Sequence, residues 1–139
     1  MMSVLEFSLR LGVALVLGAI IGYERSRRQG LAGIRTNALV ACGAAQFVML
    51  SGLLAGGDPT RIAAQVVSGV GFLGAGVILR EGGFNVRGLN TAATLWGSAA
   101  VGSLAGAGFV LYALPGTLAI MVANLVLRNL EMREKPPKA

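Results

Sequence analysis

VLEFSLRLGVALVLGAIIGY, residues 4–23, followed at once by ERSRRQGLAGIR, residues 24–35, decides the fold. An α-helix rises about 1.5 Å per residue, so about 20 mostly apolar residues cross the hydrocarbon core of a bilayer. The segment behind this run carries Arg25, Arg27, Arg28 and Arg35. A basic cluster at the end of a span resists translocation and stays in the cytoplasm. The stretch therefore predicts a transmembrane helix whose far end is cytoplasmic.

Working outward, four further runs have the same character: about 36–55, 60–79, 90–106 and 109–128. The segments between them alternate in charge. Residues around Asp58 carry one acid and Arg61. The third loop carries Arg80, Glu81 and Arg87, the fourth carries no charge, and the tail carries Arg133, Lys135 and Lys138. Basic segments thus alternate with non-basic ones. The expectation is an all-α membrane protein of about five transmembrane helices, N-terminus outside and C-terminus cytoplasmic. The join between the fourth and fifth runs is the weakest mark, resting on Gly106-Ala107-Gly108 and on Pro115. A four-helix reading fits the charge alternation less well. In domain terms, the expectation is a membrane domain over residues 1–130 and a short polar cytoplasmic tail over 131–139, without a C-terminal soluble domain.

Composition agrees. Only 13% of the 139 residues are charged, against about 25% in soluble domains, so a water-facing shell is not available. The first run lacks a basic leader and ends in Tyr23-Glu24-Arg25, which suits a signal anchor better than a cleaved signal peptide. The net charge of +6 sits in short inter-helix segments. That distribution argues against a nucleic-acid partner and for anionic lipid head groups at the Arg loops.

Two stretches repeat a pattern. Gly18-Ala19-Ile20-Ile21-Gly22-Tyr23-Glu24-Arg25 leads through a basic loop to Gly33-Ile34-Arg35-Thr36-Asn37-Ala38. A second Gly-rich run, 71–80, ends in Arg80 and leads to Gly88-Leu89-Asn90-Thr91-Ala92-Ala93. A parallel repeat of helical hairpins explains this. So does coincidence among residues common in membrane helices. Under the repeat, the N-termini of the second and fourth helices share the cytoplasmic face with Arg25, Arg35, Arg80 and Arg87, where free N–H groups attract anions.

Gly69-x-Gly71-x-x-Gly74 matches a dinucleotide fingerprint in letters only, because no strand precedes it and no ribose-binding acid follows in context. With Gly76, and with Gly18-x-x-x-Gly22, it reads as close helix packing. Arg10 is the one strong charge within an apolar run. Glu6 lies one turn earlier, so Arg10 either snorkels with Glu6 or turns inward to order a polar site. Asp58-Pro59 reads as an N-cap followed by a first helical position. Thr36 and Asn90 are further cap candidates. Gln46, Gln65, Ser68, Thr94 and Asn124 lie at membrane depth and are expected to hydrogen-bond across helices.

The chemistry available is limited. The chain has no histidine and one cysteine, Cys42, so no internal disulfide forms and the usual general base is missing. No Walker A pattern occurs, and no serine has a credible base, so no enzymatic activity and no cofactor are expected. Six acids, mostly beside arginines or in the tail, are a poor set for Mg²⁺, which wants carboxylate oxygens in octahedral array. No metal ligand is assigned.

The strings ERSRRQGLAGIRTNALVACGAA, RIAAQVVSGVGFLGAGVILREG and NVRGLNTAATLW resemble the membrane domain of the MgtC/SapB family, from about Arg10 into the fifth run. The motif positions carried over are Glu24, Arg25, Gly33, Arg35, Thr36, Asn37, Arg61, Gln65, Gly69, Gly71, Gly74, Gly76, Gly88, Asn90, Thr91 and Trp96. The resemblance implies a bacterial inner-membrane protein linked to growth in low magnesium and, in pathogens, to survival inside macrophages. Family members carry Mg²⁺-transport labels, and a regulatory role through contact with membrane partners, including the ATP synthase, is also proposed. Many members continue into a cytoplasmic C-terminal domain, whereas this sequence stops at Ala139, which puts functions of that domain in doubt here. Two expectations follow. One is a non-enzymatic regulator acting by helix contacts. The other is a transporter or channel for Mg²⁺ or another small ion. A homo-oligomer, with a dimer favoured, is expected from the small-residue faces.

Overall fold

The structure, a computed structural model, describes residues 2–27, 31–54, 56–81 and 85–130. The 131–139 tail lies outside them. Among the described residues there are five long helices: α1 (Val4–Arg27), α2 (Ile34–Leu53), α3 (Pro59–Val77), α4 (Leu89–Gly106) and α5 (Val110–Val122). A π-helical turn, Ala123–Leu127, extends α5. The protein is an all-α membrane protein. α1, α2, α3 and Val110–Leu130 are each long and apolar enough to cross a bilayer.

α4 is the exception, and its place in the bundle explains why. It touches all four other helices. Half of its residues are buried, among them Thr91, Thr94 and Ser98. A helix surrounded by protein does not need to be as apolar as one that meets lipid. Its hydroxyls are satisfied by neighbouring helices.

The helix ends follow local rules. Asp58 caps α3: its Oδ1 accepts from the Thr60 N–H at 2.9 Å and from the Thr60 hydroxyl at 2.6 Å, with Pro59 at the first helical position. These bonds hold the Asp58 carboxyl below its ordinary value. α4 ends in a Schellman turn. The Phe109 N–H donates to the Leu104 carbonyl, the Gly108 N–H donates to the Ala105 carbonyl, and Gly108 takes φ +88°. That turn makes the α4–α5 join. Pro115, read from sequence as part of the turn, lies inside α5. Neighbouring helices make such a proline tolerable in a membrane span.

Two sequence expectations need correction here. Thr36 and Asn90 are not caps: they lie in the first turns of α2 and α4, whose N-cap positions are Gly33 and Gly88. Glycine is required at Gly88, where φ is +94° and a Cβ would lie 2.0 Å from the Val77 carbonyl oxygen. The third loop is also more ordered than a plain loop. Leu79–Glu81 (β1) pairs antiparallel with Asn85–Arg87 (β2), Arg80 opposite Val86. Strands of three residues leave no readable period in a sequence.

Candidate functional site

Four of the seven buried polar side chains among the described residues, Asn37, Thr91, Thr94 and Ser98, lie on α4 or bond to it. Thr91, Thr94 and Ser98 follow one another at three- and four-residue spacing, which sets them along one side of a helix. Each bonds outward. Arg25, near the end of α1, donates from Nη2 to Thr91 Oγ1 at 2.8 Å. Thr94 Oγ1 donates to the Asn90 carbonyl at 2.7 Å and lies 3.3 Å from Asn124 Oδ1 in the π turn. Ser98 Oγ donates to Asn37 Oδ1 at 2.8 Å, and both residues are wholly buried. Asn37 in turn donates from Nδ2 to the Gly33 carbonyl at 2.9 Å and the Ala32 carbonyl at 3.2 Å. One amide thereby ties α4 to the segment that starts α2.

The Asn37–Ser98 contact heads a longer ladder. A Cβ on Gly102 would lie 2.1 Å from the Ala41 carbonyl oxygen, and one on Gly106 would lie 2.5 Å from that of Ala45. The pairs 37/98, 41/102 and 45/106 keep one separation, 61 residues. α2 and α4 therefore run parallel, backbone against backbone, through a small residue every fourth position. Sequence reading missed this. The signal was present as Asn37-x3-Ala41-x3-Ala45 and Ser98-x3-Gly102-x3-Gly106, but nothing local marks which of the many small residues meet.

Gly18 and Gly22 serve the α1–α2 hairpin. A Cβ at Gly18 would meet the Asn37 carbonyl oxygen at 2.7 Å, and one at Gly22 would meet that of Gly33 at 2.6 Å. In the second hairpin, a Cβ on Gly74 would lie 3.4 Å from that of Ala92. Moved back 55 residues, that contact falls on Ala19 and Asn37, one residue from the Gly18–Asn37 contact. The contact of the second hairpin is thus offset by one residue from that of the first. Gly69, Gly71 and Gly76 behave differently: a Cβ on any of them meets nothing within 4 Å. Close packing is not made there within the chain, because α3 lies at the edge of the bundle, with Phe72 82% exposed.

At the other end of the bundle, Arg10 turns inward. Its Nη1 donates to the Gly106 carbonyl at 2.9 Å, and its Nη2 pairs with Glu6. Both sequence readings of Arg10 meet in this geometry. The guanidinium holds Glu6 and caps the carbonyl end of α4, where positive charge is favourable.

The remaining residues distribute as follows. At the Arg-rich end, Glu24 is buried on α1, while Arg35, Thr36, Arg87 and Asn90 are exposed, and Arg80 lies in β1. The structure brings together Arg25 with Thr91 and Asn37 with Ser98, and leaves Arg35 on the surface. Gln46, Gln65 and Ser68 correct an expectation. They are exposed and make no hydrogen bond across helices, because they sit on outward faces of α2 and α3. Among the described residues no three Cys, Asp or Glu side chains gather as a metal site.

This is a polytopic helical membrane protein organised around one buried, small-residue helix whose hydroxyls are taken up by its neighbours. The chain belongs to the MgtC family, whose model matches residues 11–133. It is 61% identical to Protein MgtC of Brucella abortus over 118 residues, covering 84% of this chain and 49% of that protein. To Protein MgtC of Salmonella typhimurium it is 56% identical over 132 residues, covering 95% of this chain and 57% of that protein. The chain thus spans about half the length of these relatives. No solved structure matches it.

Proposed function

We propose that this protein is a non-enzymatic regulator in the bacterial inner membrane, acting in adaptation to low magnesium by helix contacts with other membrane proteins. One observation carries the reading. Thr91 and Ser98 of α4 are bonded to other helices, to Arg25 of α1 and Asn37 of α2, while a crevice between α3 and α4 stays open. That crevice, about 320 Å³, is lined by Gly71, Gly74, Ala75, Ala93 and Trp96 among others. Five of its eight lining residues are glycine or alanine, so a partner helix can approach closely there, and the half-exposed Trp96 provides an anchor. In this reading the N-terminus is outside. The Arg25, Arg35 and Arg87 end is cytoplasmic, facing anionic head groups. The ATP synthase is one membrane partner consistent with it, as is a second copy.

Capture of a membrane partner from solubilised membranes tests the proposal. Gly71→Leu and Ala93→Leu should abolish capture while leaving the helical bundle folded. Recovery of the same partner by both variants would overturn it. A second reading, transport of Mg²⁺ or another small ion, is supported by the repeated hairpin motif, Gly33-Ile34-Arg35-Thr36 against Gly88-Leu89-Asn90-Thr91. Flux into liposomes carrying an ion-sensitive dye distinguishes the two: no flux above empty vesicles under several gradients removes the transporter reading.

A further inference from the structure

A different crevice, between α2 and α3, has a layered chemistry. Its lower part, about 660 Å³, is walled by Leu39, Val40, Phe47, Val66 and Leu73, with Gly43 and Gly69 opening the space between them. Its upper part, about 390 Å³ at the α2–α3 turn, is lined by Ser51, Asp58, Arg61 and Gln65. Ile62 and Gln65 line both parts, so the two adjoin. Arg61 is exposed and pairs with no carboxylate among the described residues. The Ser51 hydroxyl, on a residue 2% exposed, has no hydrogen-bond partner among them.

The geometry points to a bound phospholipid with a primary-ammonium head group, phosphatidylethanolamine. Arg61 would take the phosphate and Asp58 the ammonium. Gln65 would bond to the glycerol ester, and one acyl chain would lie between α2 and α3. The depths agree. Gln65 is one turn below Arg61, about 6 Å. From Gln65 to Leu73 the apolar part runs about 12 Å, close to the ~15 Å of one leaflet's hydrocarbon. Asp58 accepts its Thr60 bonds on Oδ1, and a carboxylate has about four acceptor positions, so capacity remains for an ammonium. Choline has no N–H to donate, and the glycerol of phosphatidylglycerol offers Asp58 neutral hydroxyls where ethanolamine offers a cation. The site therefore selects ethanolamine. It also accounts for Gln65, a polar side chain on an outward helix face.

Native mass spectrometry of the full chain in mild detergent, delipidated and titrated with phosphatidylethanolamine or phosphatidylcholine, tests this. One ethanolamine lipid should be retained per chain, in preference to the choline lipid. Arg61→Ala and Asp58→Asn should each weaken retention by about tenfold or more, the loss of one charge-assisted bond. Asparagine keeps the α3 cap, so the second variant stays folded. Gly69→Leu should fill the apolar part and abolish retention without unfolding, since its Cβ has open space. Equal retention of both lipids, or retention unchanged in the three variants, overturns the proposal. So does a dimer that Gly69→Leu abolishes while no lipid is retained, because the occupant would then be a second copy.

Discussion

Gly102→Ala is the sharpest single perturbation of this bundle. The added Cβ would lie 2.1 Å from the Ala41 carbonyl oxygen and 2.6 Å from the Ala41 Cα. Both atoms are backbone, so no rotamer change relieves the clash, and α2 and α4 must move apart by more than 1 Å. Overpacking a core costs about 1–3 kcal/mol, and a backbone–backbone clash belongs at the upper end. One turn away, the wholly buried Asn37–Ser98 hydrogen bond is stretched by the same movement. Leaving buried polar groups unpaired adds about 1–3 kcal/mol. The expected loss is therefore about 3–6 kcal/mol. Gly43→Ala is the control. Its Cβ meets nothing within 4 Å, and removing a mid-helix glycine stabilises by about 1 kcal/mol in a soluble reference helix. Both variants would be compared by thermal and denaturant unfolding in one mild detergent, with tryptophan fluorescence from Trp96 as the readout. If Gly102→Ala unfolds at the same point as Gly43→Ala, the α2–α4 backbone contact is not what holds the bundle.

Arg10→Ala should lower stability by about 1–2 kcal/mol, from loss of the charged cap on α4. Unchanged unfolding in detergent would return Arg10 to the role of a snorkelling surface charge. Asn37→Leu removes the bonds to Ser98, Ala32 and Gly33 together, and a loss of about 2–4 kcal/mol follows if the amide joins α2 to α4. Wild-type stability would refute that role. Because the folded Asp58 carboxyl is held below its ordinary value, its cap is fully present above about pH 4 and fades as pH falls through the lower folded value. The protection of the Thr60 amide against hydrogen exchange, taken relative to its intrinsic rate at each pH, should fall in acid, and Asp58→Asn should remove the dependence. Gly71→Leu should unfold with the wild type, since nothing stands within 4 Å of its Cβ. A large loss would mean that α3 packs more tightly than described.

Much of this protein was determined by sequence alone, and for one reason: lipid imposes length and charge rules that act locally. The span read at 4–23 is α1, Val4–Arg27, and the one read at 60–79 is α3, Pro59–Val77. Asp58-Pro59 announced its cap, because a cap is a contact between residues two apart. Family membership was carried by ordered strings and needed no coordinates. Tertiary structure decided what depends on contact between distant residues. Gly71 falls in a motif read as close packing and Gly102 in none, yet Gly102 lies against the Ala41 backbone and a Cβ on Gly71 meets open space. Arg10 could have snorkelled or turned inward, and it bonds to a carbonyl 96 residues away. Gln65 and Thr94 are both polar groups at membrane depth, and only the turn of each helix sends one outward and the other to Asn124. Hydropathy marks the helices that meet lipid, α1, α2, α3 and Val110–Leu130, while α4 takes its place through its neighbours. Which face each turns to its neighbours is set by the register of backbones that touch through glycine and alanine, and that register is a property of the assembled bundle.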